Sequence, residues 1–293
     1  MSVPRTSGLE LVDANHEEQF DWISESSSET EQLQARRDPN RKGPEGCRPG
    51  VGAMNPSVPL VLLPGHMCDE QMWEAQRDAL CNVVPLQVIE LQGRTSVEHL
   101  AKDVLAAAPP LFALAGFSLG GYTALEIMRQ APERIERLAL LDTSARPDAP
   151  ENKAMRLQNI ALAQSGRLAE VLDAFALSTH GPVMRGHAGL AQAVRRMMGR
   201  HSLEHYAAQQ QALITRPDAR PVLQSIACPT LVACGADDGI TTPEMHEEIA
   251  RAVEHAVYVP IPEAGHMAPM EQPAVVTAIL RYWLQVHKRA PSR

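Results

Sequence analysis

The chain has 293 residues and a formal net charge of −8, long enough for one large α/β core or two small ones. A hydrophobic content of 44% excludes global disorder, and the negative balance argues against non-specific nucleic-acid binding, which needs a basic surface. No apolar run approaches the roughly 20 residues of a membrane span.

Residues 1–53 are expected to form a disordered leader. Runs such as Ser24-Glu25-Ser26-Ser27-Ser28-Glu29 carry too little apolar surface to offset the entropy of ordering them. The five cysteines, Cys47, Cys68, Cys81, Cys228 and Cys234, show no CxxC spacing. They suggest neither a disulfide framework nor a zinc site, and no apolar run near the N-terminus reads as a signal peptide. The cytoplasm is therefore the expected compartment.

From Val58 the chain alternates strand and helix. Val58–Leu63 reads as a buried strand ending at Pro64-Gly65, followed by a helix over Glu70–Leu80 and a strand over Val84–Leu91. Thr95-Ser96-Val97-Glu98 has the form of a capping box, opening a helix to about Ala107. Strand Leu111–Gly116, helix Leu119–Gln130 and strand Leu138–Leu141 come next. Residues 145–220 break this beat with helical patterns alone, at 152–164, 167–177, 188–198 and 203–214. It resumes with strand Thr230–Cys234, helix Pro243–Val253, strand Ala256–Ile261 and helix Pro273–His287, leaving 289–293 as a tail. Alternation of this kind implies an α/β fold, a mostly parallel sheet with helices on both faces. The core is expected from 54–144 and 221–288. The helical insertion, 145–220, is expected to cap the C-terminal edge of the sheet, where ligands bind in such folds.

The chemistry-bearing residues fall at strand ends. Gly116-Phe117-Ser118-Leu119-Gly120-Gly121 lies between an apolar strand and an apolar-periodic helix. That is the context in which a serine on a sharp turn becomes an exposed nucleophile. Glycines on either side avoid Cβ clashes, and the helix start behind Ser118 offers free amides to a developing oxyanion. Gly235-Ala236-Asp237-Asp238 follows the fifth strand and Ala264-Gly265-His266-Met267 the sixth. A serine hydroxyl needs a base to take its proton, and that imidazole needs a carboxylate to fix its tautomer. Ser118, Asp238 and His266 occur in the expected order, with Asp238 preferred over Asp237. The turn Pro64-Gly65-His66-Met67 can aim a backbone amide at the same edge, so the His66 and Leu119 amides are the expected oxyanion hole. His201 and His205 lack the intervening glutamate of a metalloprotease helix. No metal or cofactor is expected.

These residues, with Thr241-Thr242-Pro243 and Glu271-Gln272-Pro273, carry a resemblance to capped α/β-hydrolases such as bacterial carboxylesterases, enol-lactonases and acyl-carrier-protein methyl esterases. The resemblance spans Val58 to His287. It implies the same triad and oxyanion amides, and a small-molecule ester as substrate. A lactone or a carbon–carbon bond is the alternative, and a non-catalytic receptor on the same scaffold is the remote one. No antiparallel strand pair is recognisable ahead of Val58, so about six parallel strands are expected. The insertion carries ten Lys and Arg against six Asp and Glu, a balance that would suit an acidic substrate or an acidic carrier protein.

Overall fold

Each apolar run expected as a strand is one in the computed structural model, which describes residues 58–181 and 184–285. The expected leader 1–53, the tail 289–293 and the last turn of the final helix lie outside the described residues. The strands are β1 (Leu60–Leu63), β2 (Leu86–Val88), β3 (Phe112–Phe117), β4 (Ile135–Leu141), β5 (Thr230–Gly235) and β6 (Val257–Ile261). They form one six-stranded sheet in the order β2-β1-β3-β4-β5-β6, with every pairing parallel.

The helices between strands are α1 (Glu74–Leu80), α2 (Val97–Ala107) and α3 (Leu119–Gln130). The insertion contributes α4 (Pro150–Leu162), α5 (Leu168–Thr179), α6 (Ala188–Met198), α7 (Leu203–Thr215) and the short α8 (Arg220–Leu223). The chain ends with α9 (Pro243–Ala252), α10 (Ala268–Glu271) and α11 (Pro273–Gln285). No helix among the described residues is long and apolar enough to cross a membrane.

Because side chains alternate across a strand, the sheet feeds two separate cores. Leu60, Leu62, Ala115, Phe117, Leu141 and Ala233 pack with Trp73, Leu80, Leu280 and Trp283 on one face. Val61, Leu63, Leu114, Leu140 and Val232 pack with Leu100, Val104, Leu125 and Ile249 on the other. Both faces are covered, which is why the central strands read as unbroken apolar runs.

Boundaries differ from expectation for local reasons. The second strand is shorter than Val84–Leu91 because the Val84 amide still bonds back to the Leu80 carbonyl, closing α1. The Glu70–Trp73 stretch is a 3-10 turn, capped by the Asp69 side chain on the Gln71 amide, and only then does α1 begin. The cap of α2 is Ser96 and not Thr95. Ser96 is extended (φ −148°) and its hydroxyl accepts from the His99 amide, while Glu98 turns outward to Lys102 at 2.6 Å. Gly166, at φ 91°, breaks α4 from α5 where the sequence pattern lapses.

Strand register brings the C-terminal ends to one edge. Leu63 pairs with Gly116, Leu141 with Ala233, and Gly235 with Ile261. After β1 the chain turns to one face and after β3 to the other, so the two loops splay apart there and open a crevice. The crossing of β3 into α3 leaves no room for side chains. A Cβ on Gly116 would lie 2.4 Å from the Gly120 carbonyl oxygen, and one on Gly120 would lie 2.5 Å from the Leu63 carbonyl oxygen. Gly120→Ala should therefore destabilise the protein by at least about 2 kcal/mol, as overpacking against backbone does. Gly189→Ala, where nothing lies within 4 Å, should gain up to about 1 kcal/mol from helix propensity. Urea unfolding midpoints check both, and equal midpoints would overturn the packing argument.

Candidate active site

Ser118 sits between β3 and α3 with φ 51° and ψ −112°, a conformation that disfavours any side chain with a Cβ. The surrounding backbone holds it there. Its amide bonds the Leu141 carbonyl at 3.0 Å, and its carbonyl accepts from the Gly121 and Tyr122 amides and the Thr143 hydroxyl. The side chain is thereby turned out of the sheet edge, half-exposed while its neighbours are buried.

His266 lies on the loop after β6 and is buried. Its Nε2 is 3.0 Å from Ser118 Oγ, and its Nδ1 is 2.8 Å from Asp238 Oδ2. A proton on Nδ1 donated to the carboxylate leaves Nε2 to accept from the serine hydroxyl. Asp238, on the loop after β5, also accepts from the Ile240 amide at 2.8 Å, the Thr241 amide at 3.0 Å and the Thr241 hydroxyl at 2.7 Å. Burial pushes its carboxyl up, but the His266 imidazole and these hydrogen bonds outweigh it and hold the group below its ordinary range. Asp237 is exposed, its amide spent on the Ala264 carbonyl. The structure thus brings together the three side chains singled out in the sequence and favours Asp238 over its neighbour.

The two expected oxyanion amides belong to the loops flanking this point. Leu119 opens α3, so its N–H has no acceptor within the helix. His66 follows Gly65, where an added Cβ would lie 3.3 Å from Ser118 Cβ. Neither amide donates to another described residue. The His66 ring is buried, between Phe175 and Tyr206. Burial and the nearby Arg156 charge push its pKa down to about 3, so it stays neutral. His201 and His205 stack at 4.5 Å, and no group of three or more metal-ligating side chains occurs among the described residues.

Three further side chains hold the loops of the site in place. Glu271 Oε1 accepts from the Gly265 and Met267 amides at 3.0 and 3.1 Å, and Oε2 from the Gly181 amide at 3.2 Å. It ties the His266 loop to the insertion, and the Thr179 carbonyl adds a bond from the His266 amide at 2.7 Å. Asp142 directly follows β4 and accepts from the Gly235 amide at 2.8 Å. Burial, and then the Asp238 charge, push its carboxyl well above the ordinary range. It carries the same signal as Asp238, a carboxylate just after an apolar run. His246 links the end of β4 to α9, its Nε2 accepting from the Thr143 amide at 2.8 Å and its Nδ1 donating to the Thr242 carbonyl at 3.0 Å. Nothing in the sequence marks it, because its partners are backbone groups, one of them on the distant segment after β4.

The insertion's positive balance is spent locally. Seven of its ten cations stand within ion-pair distance of a carboxylate, including Arg156 and Arg216 on Asp148 and Arg200 on Asp69.

Residues 106–273 match the family model of the alpha/beta hydrolase fold. The chain belongs to the α/β-hydrolase family and is a hydrolytic enzyme by class. It is similar to a thermophilic esterase from Thermogutta terrifontis, with 32% identity and a TM-score of 0.72 over 78% of this chain and 89% of that one. An enol-lactonase from Burkholderia xenovorans superposes with a TM-score of 0.72 at 25% identity, over 81% and 95% of the two chains. A pimeloyl-[acyl-carrier protein] methyl ester esterase of Chromobacterium violaceum is 31% identical over 71% of this chain and 76% of that protein.

His246 has a consequence for stability. Burial holds its pKa down to about 4, against 6.5 for a free imidazole. As pH falls below 6.5 the unfolded chain takes up this proton and the folded chain does not, so stability is lost until pH reaches about 4. His246→Gln removes that uptake. Across this window the wild type should lose stability more steeply than the variant by about 1.4 kcal/mol per pH unit. Chemical denaturation at a series of pH values measures this, and parallel curves would overturn it.

Proposed function

We propose that the chain hydrolyses a small carboxylic ester through an acyl-enzyme on Ser118. The observation that carries the reading is the unbroken path from Ser118 Oγ to His266 Nε2 at 3.0 Å and from His266 Nδ1 to Asp238 at 2.8 Å. Ser118 Oγ attacks the ester carbonyl carbon as its proton passes to His266 Nε2. The negative charge that forms on the carbonyl oxygen is met by the His66 and Leu119 amides. Collapse breaks the carbon–oxygen bond, and the leaving alkoxide takes the proton from His266. Water then attacks the acyl group with His266 again as base, releasing the acid and restoring Ser118. Asp238, kept ionised by its four donors, stabilises the imidazolium through both steps.

The helical insertion, residues 145–220, acts as the cap over this site. Thr179 accepts from the His266 amide, Gly181 donates to Glu271, and Gln209 bonds the turn after β1. Substrate choice then rests on the shape of the crevice under the insertion. Its arginines are mostly paired, which leaves little free charge to draw an acidic substrate or carrier. A lactone is the second reading, favoured by the likeness to the enol-lactonase, since ring opening needs the same attack with a tethered leaving group.

A panel of p-nitrophenyl esters of increasing acyl length, together with small lactones, tests the reading. Ser118→Ala should abolish turnover, and Asp238→Asn should lower kcat by about 10³–10⁴-fold, whereas Asp237→Asn should stay near wild type. A fluorophosphonate should label Ser118. A folded Ser118→Ala enzyme that keeps most activity, or a larger loss for Asp237→Asn, would overturn the assignment.

A further inference from the structure

Helix α7 carries two adjacent buried glutamines, Gln209 and Gln210. Both reach out of the insertion to the turn after β1. Gln209 Oε1 accepts from the Met67 amide and from His66 Nδ1, each at 2.9 Å, and its Nε2 donates to the Leu91 carbonyl at 2.9 Å. Gln210 Nε2 donates to His66 Nε2 at 2.9 Å, and its Oε1 accepts from Arg156 at 3.0 Å. Arg156 in turn bonds Asp148 at 2.8 Å.

The bonding pattern fixes every proton. Gln209 Oε1 can only accept, so Nδ1 of His66 carries the hydrogen and Nε2 accepts from Gln210. This is the neutral imidazole that burial also demands. The turn needs such holding, because Met67 has φ 55°, which costs a β-carbon-bearing residue of order 1 kcal/mol or more. With the Met67 amide taken by Gln209, the neighbouring His66 amide is left for a ligand, beside Ser118.

We propose that Gln209 is a positioning residue for the oxyanion site: by clamping the Met67 amide and the His66 ring it sets where the His66 N–H points. The proposal rests on the acyl-enzyme reading above and deepens it. A ground-state carbonyl oxygen carries little charge, so a displaced donor is felt chiefly when the oxyanion forms. Loss of the clamp therefore lowers kcat and leaves KM nearly as it was.

Gln209→Met keeps the side-chain length and removes the acceptor, while Gln209→Glu, whose carboxyl burial keeps protonated, retains an acceptor oxygen and an O–H donor to the Leu91 carbonyl. Both variants of the full chain are assayed on a p-nitrophenyl ester, with active sites counted by fluorophosphonate labelling mapped to Ser118. Gln209→Met should lose roughly 10–100-fold in kcat per labelled site with KM changed by less than about 3-fold, and its phosphonylation rate should fall in parallel. Gln209→Glu should stay within about 5-fold of wild type, since its acceptor is retained. A Gln209→Met enzyme with kcat per labelled site within about a factor of two of wild type, or one changed in KM alone, overturns the proposal. If Gln209→Met yields no labelled sites, Gln209→Asn, which draws the acceptor back by one methylene, is judged by the same criteria. Failure of the ester reading shows differently: wild-type protein would then carry no label at Ser118, and the proposal would fall with it.

Discussion

Everything at the site depends on a backbone that Ser118 would not adopt by itself. At φ 51° the serine is held off the ordinary regions by packing on both sides. Gly116 and Gly120 allow β3, α3 and the end of β1 to approach to distances that exclude a Cβ. That closeness brings the turn at Gly65 and His66 against the serine and aims the start of α3 past it. The turned-out hydroxyl, the proposed oxyanion amides and the splayed loops follow from one tight crossing, and the stability it costs is offset by the two cores on either face of the sheet.

Burial sets the direction of charge around the site, and the partners each group receives decide where it is overcome. Asp238 and Asp142 are both buried carboxylates at strand ends. Asp238 receives an imidazole, a hydroxyl and two amides and remains ionised, whereas Asp142 receives one amide and faces the charge of the other, which favours its protonated form. The histidines divide similarly. His66 and His246 are held neutral by burial, and bonds to both ring nitrogens fix their tautomers. His266 alone among the three has an unhindered exchange partner, the half-exposed serine hydroxyl. A site with one mobile proton and its neighbours held fixed suits a reaction in which a single imidazole must both take and return it.

The sequence made legible what depends on local pattern. Apolar runs placed all six strands, and the residues just past β3, β5 and β6 proved to be neighbours because parallel register aligns strand ends. Gly166 was readable as a break for the same local reason. Legibility failed where a side chain bonds distant backbone. Ser96 displaced Thr95 as the cap because the choice depends on one residue's extended backbone, which composition does not encode. Gln209 and Gln210 are ordinary polar residues on a helix, and only the fold shows that both face inward, Gln209 onto the Met67 amide and the His66 ring and Gln210 onto that ring and Arg156. The pairing of the insertion's arginines was hidden for a related reason, since Glu248 and Asp69, which pair with Arg146 and Arg200, lie outside it in sequence.

Three glycines from three parts of the chain lie stacked behind His266. A Cβ on Gly235 would lie 2.1 Å from the Gly265 carbonyl oxygen, and one on Gly265 would lie 2.1 Å from the Gly181 amide nitrogen. Bare backbone here lies against bare backbone, so the insertion is joined to the sheet at this point as tightly as one strand to the next. Such a seam makes that end of the insertion a fixed post rather than a swinging edge. It also limits how the fold can diversify: a different helical insertion could be grafted onto this core only if its chain passed the same seam with a glycine.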